Sequence, residues 1–301
     1  MYITEERYTP EQAKELLRAS DAEFDARIDR AAEYVMAKGA EFLCLSGPSC
    51  AGKTTTAIKL TARLAEHGIG ATVVSLDDFF YDMDYLVEMS KRKGTALDMD
   101  SADTIDLACF AKCLEGFVKH EPVEVPIFDF HTHKRGGYRT LTHKKGDLII
   151  FEGIQAIYPE VTALIKPYGM ASIFACPDQP ITVGEQIFDP NIYRFYRRIV
   201  RDAQYRSADA NRTLEVWRNV RNNEDAHIFP LRDQFEHVVD TSMGYDLHVL
   251  TPYLRELLPK VSEDSRYYLR ALDILNRTSR IEPIPVQYLT PDSLYREFIK
   301  F

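Results

Sequence analysis

Apolar positions along this chain fall into two periods. Over 42–46 (FLCLS), 71–76 (ATVVSL), 147–151 (DLIIF) and 171–175 (ASIFA) they are nearly continuous, the pattern of short strands buried on both faces. A further run at 236–240 (EHVVD) predicts one more strand. Elsewhere the spacing is three to four residues. Ala57, Leu60 and Leu64 share one side of a helix predicted over 53–66, and Leu107, Phe110, Leu114 and Phe117 share one side of another over 103–118. Strands alternating with helices argue for an α/β fold, a doubly wound parallel sheet covered on both faces.

The flanks read differently. Residues 1–40 are helical and mostly polar. Thr9 and Pro10 predict one helix start, and a second helix is predicted over 22–37, stopping at Gly39. Segment 123–145 alternates aromatic, histidine and glycine residues and predicts a β-hairpin excursion outside the sheet. Residues 191–222 read as helical and arginine-rich. Residues 245–301 read as helix followed by a proline-containing tail. The expected division is a helical extension over 1–40, the α/β domain over 41–245, and a C-terminal helix and tail over 246–301.

Composition narrows the class. The chain has 301 residues, 45% of them hydrophobic and 28% charged, as in ordinary globular proteins. A net charge of −9 argues against a nucleic-acid partner or an anionic membrane surface. No apolar run approaches the roughly 20 residues that cross a bilayer. The start MYITEERYTP lacks the basic and apolar stretches of a signal peptide, so the cytoplasm is the expected compartment. Five cysteines without a CxxC pair are expected to be reduced thiols.

The chemistry begins at 45–56, LSGPSCAGKTTT. Gly47, four intervening residues, then Gly52, Lys53 and Thr54 complete a phosphate-loop pattern between a predicted strand and a predicted helix. Glycines let backbone N–H groups approach phosphate oxygens closely, and the following helix points its positive end at the anion. The loop residues Gly47, Pro48, Ser49, Cys50, Ala51 and Gly52, with Lys53, Thr54 and Thr55, are therefore candidates for binding a nucleotide, ATP in the first instance. Lys53 would reach the outer phosphates, and the Thr54 hydroxyl would hold Mg²⁺. The N/T-K-x-D segment with which GTPases read guanine does not occur.

Two acids end predicted strands, where ligands of such sheets bind. Asp77, with Asp78 beside it, closes VVSLDDFF, and Glu152 closes DLIIFEG. A phosphoryl-transfer enzyme needs one acid to take the acceptor's proton and others to support the metal. Asp77 is the candidate base, and Thr54, Asp77 and Glu152 are the candidate metal ligands. On the arginine-rich helix, Arg194, Arg198 and Arg201 fall on one face, with Ile192, Phe195, Tyr196 and Ile199 roughly opposite, as in a lid presenting cations to a phosphoryl group. An H-x-H at His131 and His133, placed in a strand, would put both rings on one face. That suits a metal as well as a base contact, and no third ligand is evident.

Taken in order, these segments resemble the uridine kinase and phosphoribulokinase family. SLDDFFYD resembles the segment carrying its catalytic aspartate, LDMDSADTID its substrate loop, VPIFDFHTHKR the uridine kinase hairpin that encloses the base, IIFEGI its second acid, and RRIVRDAQYR its lid. The resemblance covers about 42–240 and implies a P-loop kinase fold, ATP and Mg²⁺ as cofactors, and a small-molecule acceptor, a nucleoside phosphorylated at its 5′-hydroxyl. It implies that Asp77 is the base, Asp100 binds the ribose hydroxyls, and Phe128, Phe130 and His133 meet the pyrimidine. Arg198 and Arg201 would act on the transferring group, and Arg206 would contact the nucleotide. Members of the family commonly self-associate. Four positions depart from it: Phe128 stands where a tyrosine is usual, Ser101 and Ala102 where His and Pro are, and Ala208 where a second arginine is. Another sugar or small alcohol therefore stays open as acceptor, as does a nucleotide-binding regulator without catalysis.

Overall fold

A computed structural model describes residues 1–94, 99 and 101–300. Ten strands occur among them: β1 (Tyr2–Thr4), β2 (Phe42–Ser46), β3 (Ala71–Ser75), β4 (Val123–Asp129), β5 (Lys134–Leu141), β6 (Leu148–Glu152), β7 (Met170–Cys176), β8 (Ile181–Val183), β9 (Gln186–Phe188) and β10 (His237–Asp240). Five form a parallel sheet in the order β10-β7-β2-β6-β3. Phe42 and Cys44 point into one apolar layer with Ile149 and Phe151, while Leu43 and Leu45 point into the other with Ile150 and Ile173. Burial on both faces is why these strands read as unbroken apolar runs.

The helices are α1 (Pro10–Lys38), α2 (Lys53–Glu66), α3 (Met83–Lys93), α4 (Leu107–Val118), α5 (Pro159–Ile165), α6 (Pro190–Tyr205), α7 (Ala210–Asn223), α8 (Asp246–Leu257) and α9 (Tyr268–Arg277). One layer combines α1, α2 and α6–α9; α4 and α5 cover the other face. The N-terminal segment is one helix of 29 residues, not two. Buried Leu17, Ser20, Phe24, Ile28, Ala31 and Val35 continue a single stripe through the expected break, with neither Gly nor Pro to interrupt it. Thr9 caps its start with a reciprocal Gln12 contact, and Gly39 (φ 61°) ends it. The hairpin stands outside the sheet as β4 and β5, with a register shift at Ile127/Phe128. The arginine-rich segment is two helices, α6 and α7. Among the described residues, no helix is long and apolar enough to cross a membrane.

Candidate active site

The order of the sheet puts β2 between β6 and β7, a topological switch point, and the glycine loop leaves the carboxyl end of β2 there. Close packing dictates its glycines. A Cβ on Gly47 would lie 1.9 Å from the Ala175 carbonyl oxygen, and Gly52 takes the left-handed φ of 79° with Leu294 against it. Cys50 adopts a left-handed φ of 58° without that freedom, a local strain of the kind that collects at ligand-binding loops. Lys53, the first residue of α2, donates its Nζ to the Pro48 carbonyl at 3.1 Å. Thr54 is exposed, whereas Thr55 is buried.

The parallel register aligns the two acids beside this loop. Leu45 and Ser75 both pair with Glu152, so β2, β3 and β6 end level, and Asp77 follows in a 3₁₀ turn over Leu76–Phe79. Both carboxylates meet solvent only in part. Burial raises the Asp77 pKa; Lys53, Arg206 and Arg201 pull it back, and Asp78 adds to the rise. Burial likewise pushes Glu152 up to about 7, against Lys53 and with Asp77 and Glu297. Lys53, Asp77 and Glu152 therefore share one electrostatic environment. Asp78 has other work. It accepts from the Phe128 N–H at 3.1 Å and pairs with Arg139 at 2.9 Å, fastening the hairpin to the end of β3.

On the hairpin, buried Phe128 packs edge-on against Phe80 and Phe130, with centroids 5.5 and 5.2 Å apart, and Phe130 is exposed. His131 and His133 lie in the connecting turn, not in a strand, and both are exposed. His133 takes the left-handed φ of 55° that the turn needs, so the shared face expected of H-x-H is not formed. Asp100 lies outside the described residues. Next to it in sequence, Met99 accepts through its carbonyl from Gln155, just past Glu152, and the Ser101 hydroxyl caps the turn Ala102–Thr104.

The arginine face of α6 is only partly as expected. Arg194 is not presented to a ligand: it is 1% exposed and gripped by both oxygens of Glu224 at 2.6 and 2.7 Å. It also donates to the Ser49 carbonyl, and Glu224 accepts from the Ser49 N–H at 3.0 Å. The pair thus holds the crown of the glycine loop. Arg198 donates to the Ser49 hydroxyl at 2.8 Å, Arg201 is fixed by Asp202, and the Arg206 side chain is half exposed. Two acids escaped the sequence reading. Glu224 ends the arginine-rich stretch, three residues after Arg221, a spacing that could have flagged it. Glu297 reaches the loop from the C-terminal tail, where no local pattern marks it.

Residues 42–246 match the phosphoribulokinase / uridine kinase family. The chain belongs to that family. It is a kinase, with the P-loop kinase fold that its sheet order shows. A uridine kinase of Borrelia garinii subsp. bavariensis is 26% identical over 222 residues, 72% of this chain and 96% of the relative. A uridine kinase of Ureaplasma urealyticum serovar 10 is 26% identical over 66% of this chain and 83% of that one. Among solved structures, a putative fructose transport system kinase from Silicibacter sp. TM1040 is 19% identical and superposes with a TM-score of 0.50, covering 66% of this chain and 94% of that one. That likeness bears on the fold alone.

Proposed function

We propose that this family member transfers the terminal phosphoryl group of ATP, bound with Mg²⁺, to the 5′-hydroxyl of a pyrimidine nucleoside, uridine or cytidine. The observation that carries the reading is the meeting of Lys53, Asp77 and Glu152 at the mouth of a glycine loop opening a helix. The curated uridine kinases that span most of this chain support the acceptor.

The residues suit both cofactors. A glycine loop that opens a helix, with a lysine at its first position, suits a triphosphate, and two desolvated carboxylates suit a hard cation that prefers oxygen. Thr54, Asp77 and Glu152 would hold Mg²⁺, which when bound supplies neutralising charge to the phosphate oxygens. Lys53 would turn from Pro48 to the outer phosphates. The acceptor oxygen forms its new bond to phosphorus as the bond to the bridging oxygen breaks, and its proton passes to Asp77, made more basic by burial. Arg198 and Arg201, already fixed over the loop, would stabilise the transferring group, and Arg206 the nucleotide. Asp100 would take the ribose hydroxyls. Phe130 and His133 would meet the base, with Phe128 packed behind Phe130.

Nucleotide-coupled measurement of ADP over a panel of acceptors tests this. Turnover of uridine or cytidine, lost in Asp77→Asn, is expected. Turnover of some other alcohol with none for any pyrimidine nucleoside would reject the acceptor. One observation favours that second reading: Phe128 is buried and has no hydroxyl, so this strand offers the base no polar edge from its side chain.

A further inference from the structure

The loop that would receive the nucleotide already carries one of the chain's own anions. Oε2 of Glu297 accepts from the Thr55 N–H at 3.3 Å and from the Thr55 hydroxyl at 3.2 Å. Thr55 is the third residue of α2, so its N–H belongs to the first-turn donors that have no partner within the helix and that an anionic ligand takes. Leu294 lies against Gly52 on the same side. The segment is firmly seated. Tyr295 and Phe298 are fully buried, Tyr295 donates to Asp246, and the Tyr205 hydroxyl at the end of α6 donates to the carbonyls of Arg296 and Ile299. The Glu297 carboxylate also bears on Glu152, whose pKa it helps to raise.

From this we infer that Glu297 is a determinant of nucleotide affinity: its carboxylate competes with phosphate for the Thr55 donors and must swing away for a triphosphate to engage α2 fully. The inference rests on the nucleotide reading above. Like charge excludes joint occupancy, since a polyphosphate brought to the helix start would face Glu297 at close range. The anchors are backbone contacts and buried rings, so the side chain leaves while the segment stays.

Calorimetric titration with MgATP of the whole chain, as wild type, Glu297→Gln and Glu297→Ala, tests it. Removing one charge-assisted competitor should tighten ATP binding about tenfold. The KM for ATP should fall in step, with the KM for the acceptor unmoved. A purely structural Glu297 would instead lower thermal stability and leave ATP affinity within twofold of wild type, or weaken it; either result overturns the inference while the nucleotide reading stands. If wild type and both variants all fail to bind ATP, the nucleotide reading falls and takes this inference with it.

A second site stands apart from the kinase chemistry. At the opposite ends of the strands, Glu41 just before β2, His120 after α4 and His143 between β5 and β6 bring one ligand atom each to within 4.8 Å of one another. His143 is 3% exposed, and neither ring nitrogen has a hydrogen-bond partner; its nearest carboxylate contact, Glu41, is 3.9 Å away, too long for a hydrogen bond. A buried imidazole with both nitrogens orphaned faces the second imidazole, ring centroids 5.2 Å apart. The geometry points to a site for a divalent transition metal of the zinc type, held by two imidazoles and one carboxylate with its remaining position open to water.

Untagged, chelator-treated protein titrated with zinc alone should bind one equivalent at this site, and cobalt should give a tetrahedral visible spectrum. Zinc should raise the melting temperature of wild type and not of His120→Ala, a surface change that spares the fold. Absence of any zinc-dependent change, or binding by His120→Ala within twofold of wild type, would overturn the assignment.

Discussion

Glu224→Gln is the sharpest perturbation of the site's scaffold. The wild-type carboxylate accepts from both arms of Arg194, from Arg221 at 2.6 Å and from the Ser49 N–H. Burial alone would raise its pKa, yet Arg194 and Arg221 hold it below the usual carboxylate range. The amide keeps one acceptor and turns an NH₂ toward a guanidinium that is 1% exposed. Breaking such a buried pair costs about 3–5 kcal/mol, because the remaining charge loses its counterion. At about 2 °C per kcal/mol for a chain of this size, the melting temperature should fall by about 6–10 °C. The chain's single tryptophan, Trp217, lies 5.4 Å from the Arg194 guanidinium, so urea unfolding followed by its fluorescence reads the event directly. The KM for ATP should also rise, since Ser49 loses its tether. Since the folded pKa is depressed, the stabilisation is present above the unfolded value of 4.5 and lost as pH falls through the folded one. A stability change under about 1 kcal/mol would refute the claim that this pair holds the loop.

Other expectations follow from the same geometry. Asp77→Asn should retain ATP binding and lose about 10²–10⁴ in kcat, the usual worth of a positioned base; activity within a few-fold of wild type would remove it from that role. Glu152 has its folded pKa raised to about 7, so its contribution to stability is complete below pH 4.5 and is lost as pH rises through about 7. MgATP binding below pH 7 should therefore release a proton, visible as buffer-dependent enthalpy in calorimetry, and Glu152→Gln should reduce that dependence. Gly52→Ala should weaken ATP binding and lower the melting temperature, because it strains a φ of 79° and drives a methyl to 2.7 Å from Leu294; normal affinity would show the loop to be more yielding than its packing implies.

How much of this was legible in the sequence depended on the reach of each signal. The strands showed because burial on both faces writes itself into adjacent residues, as in FLCLS. The loop and its acids showed because glycine geometry and strand ends are local. The break expected before residue 22 was misleading: Ser20 is buried within α1 and Asp21 accepts from the Tyr245 hydroxyl. Partners in space outvoted a local preference. For Arg194 the helical periodicity gave the correct face and could not reveal that Glu224, arriving from beyond α7, would cover it. The histidines kept an alternating pattern into a turn, where backbone conformation decided their placement. The distant covers of the loop were invisible to any window of neighbouring residues.

The tail's seat on α2 has a consequence during synthesis. Thr55 and Glu297 are 242 residues apart, and at roughly 5–20 residues per second the ribosome takes on the order of tens of seconds to pass from one to the other. From the closing of the sheet by β10 until the tail emerges, at the end of that interval, the groove later filled by Leu294, Tyr295 and Phe298 is bare. Nascent chains of this kinase would offer chaperones an apolar strip beside a finished sheet.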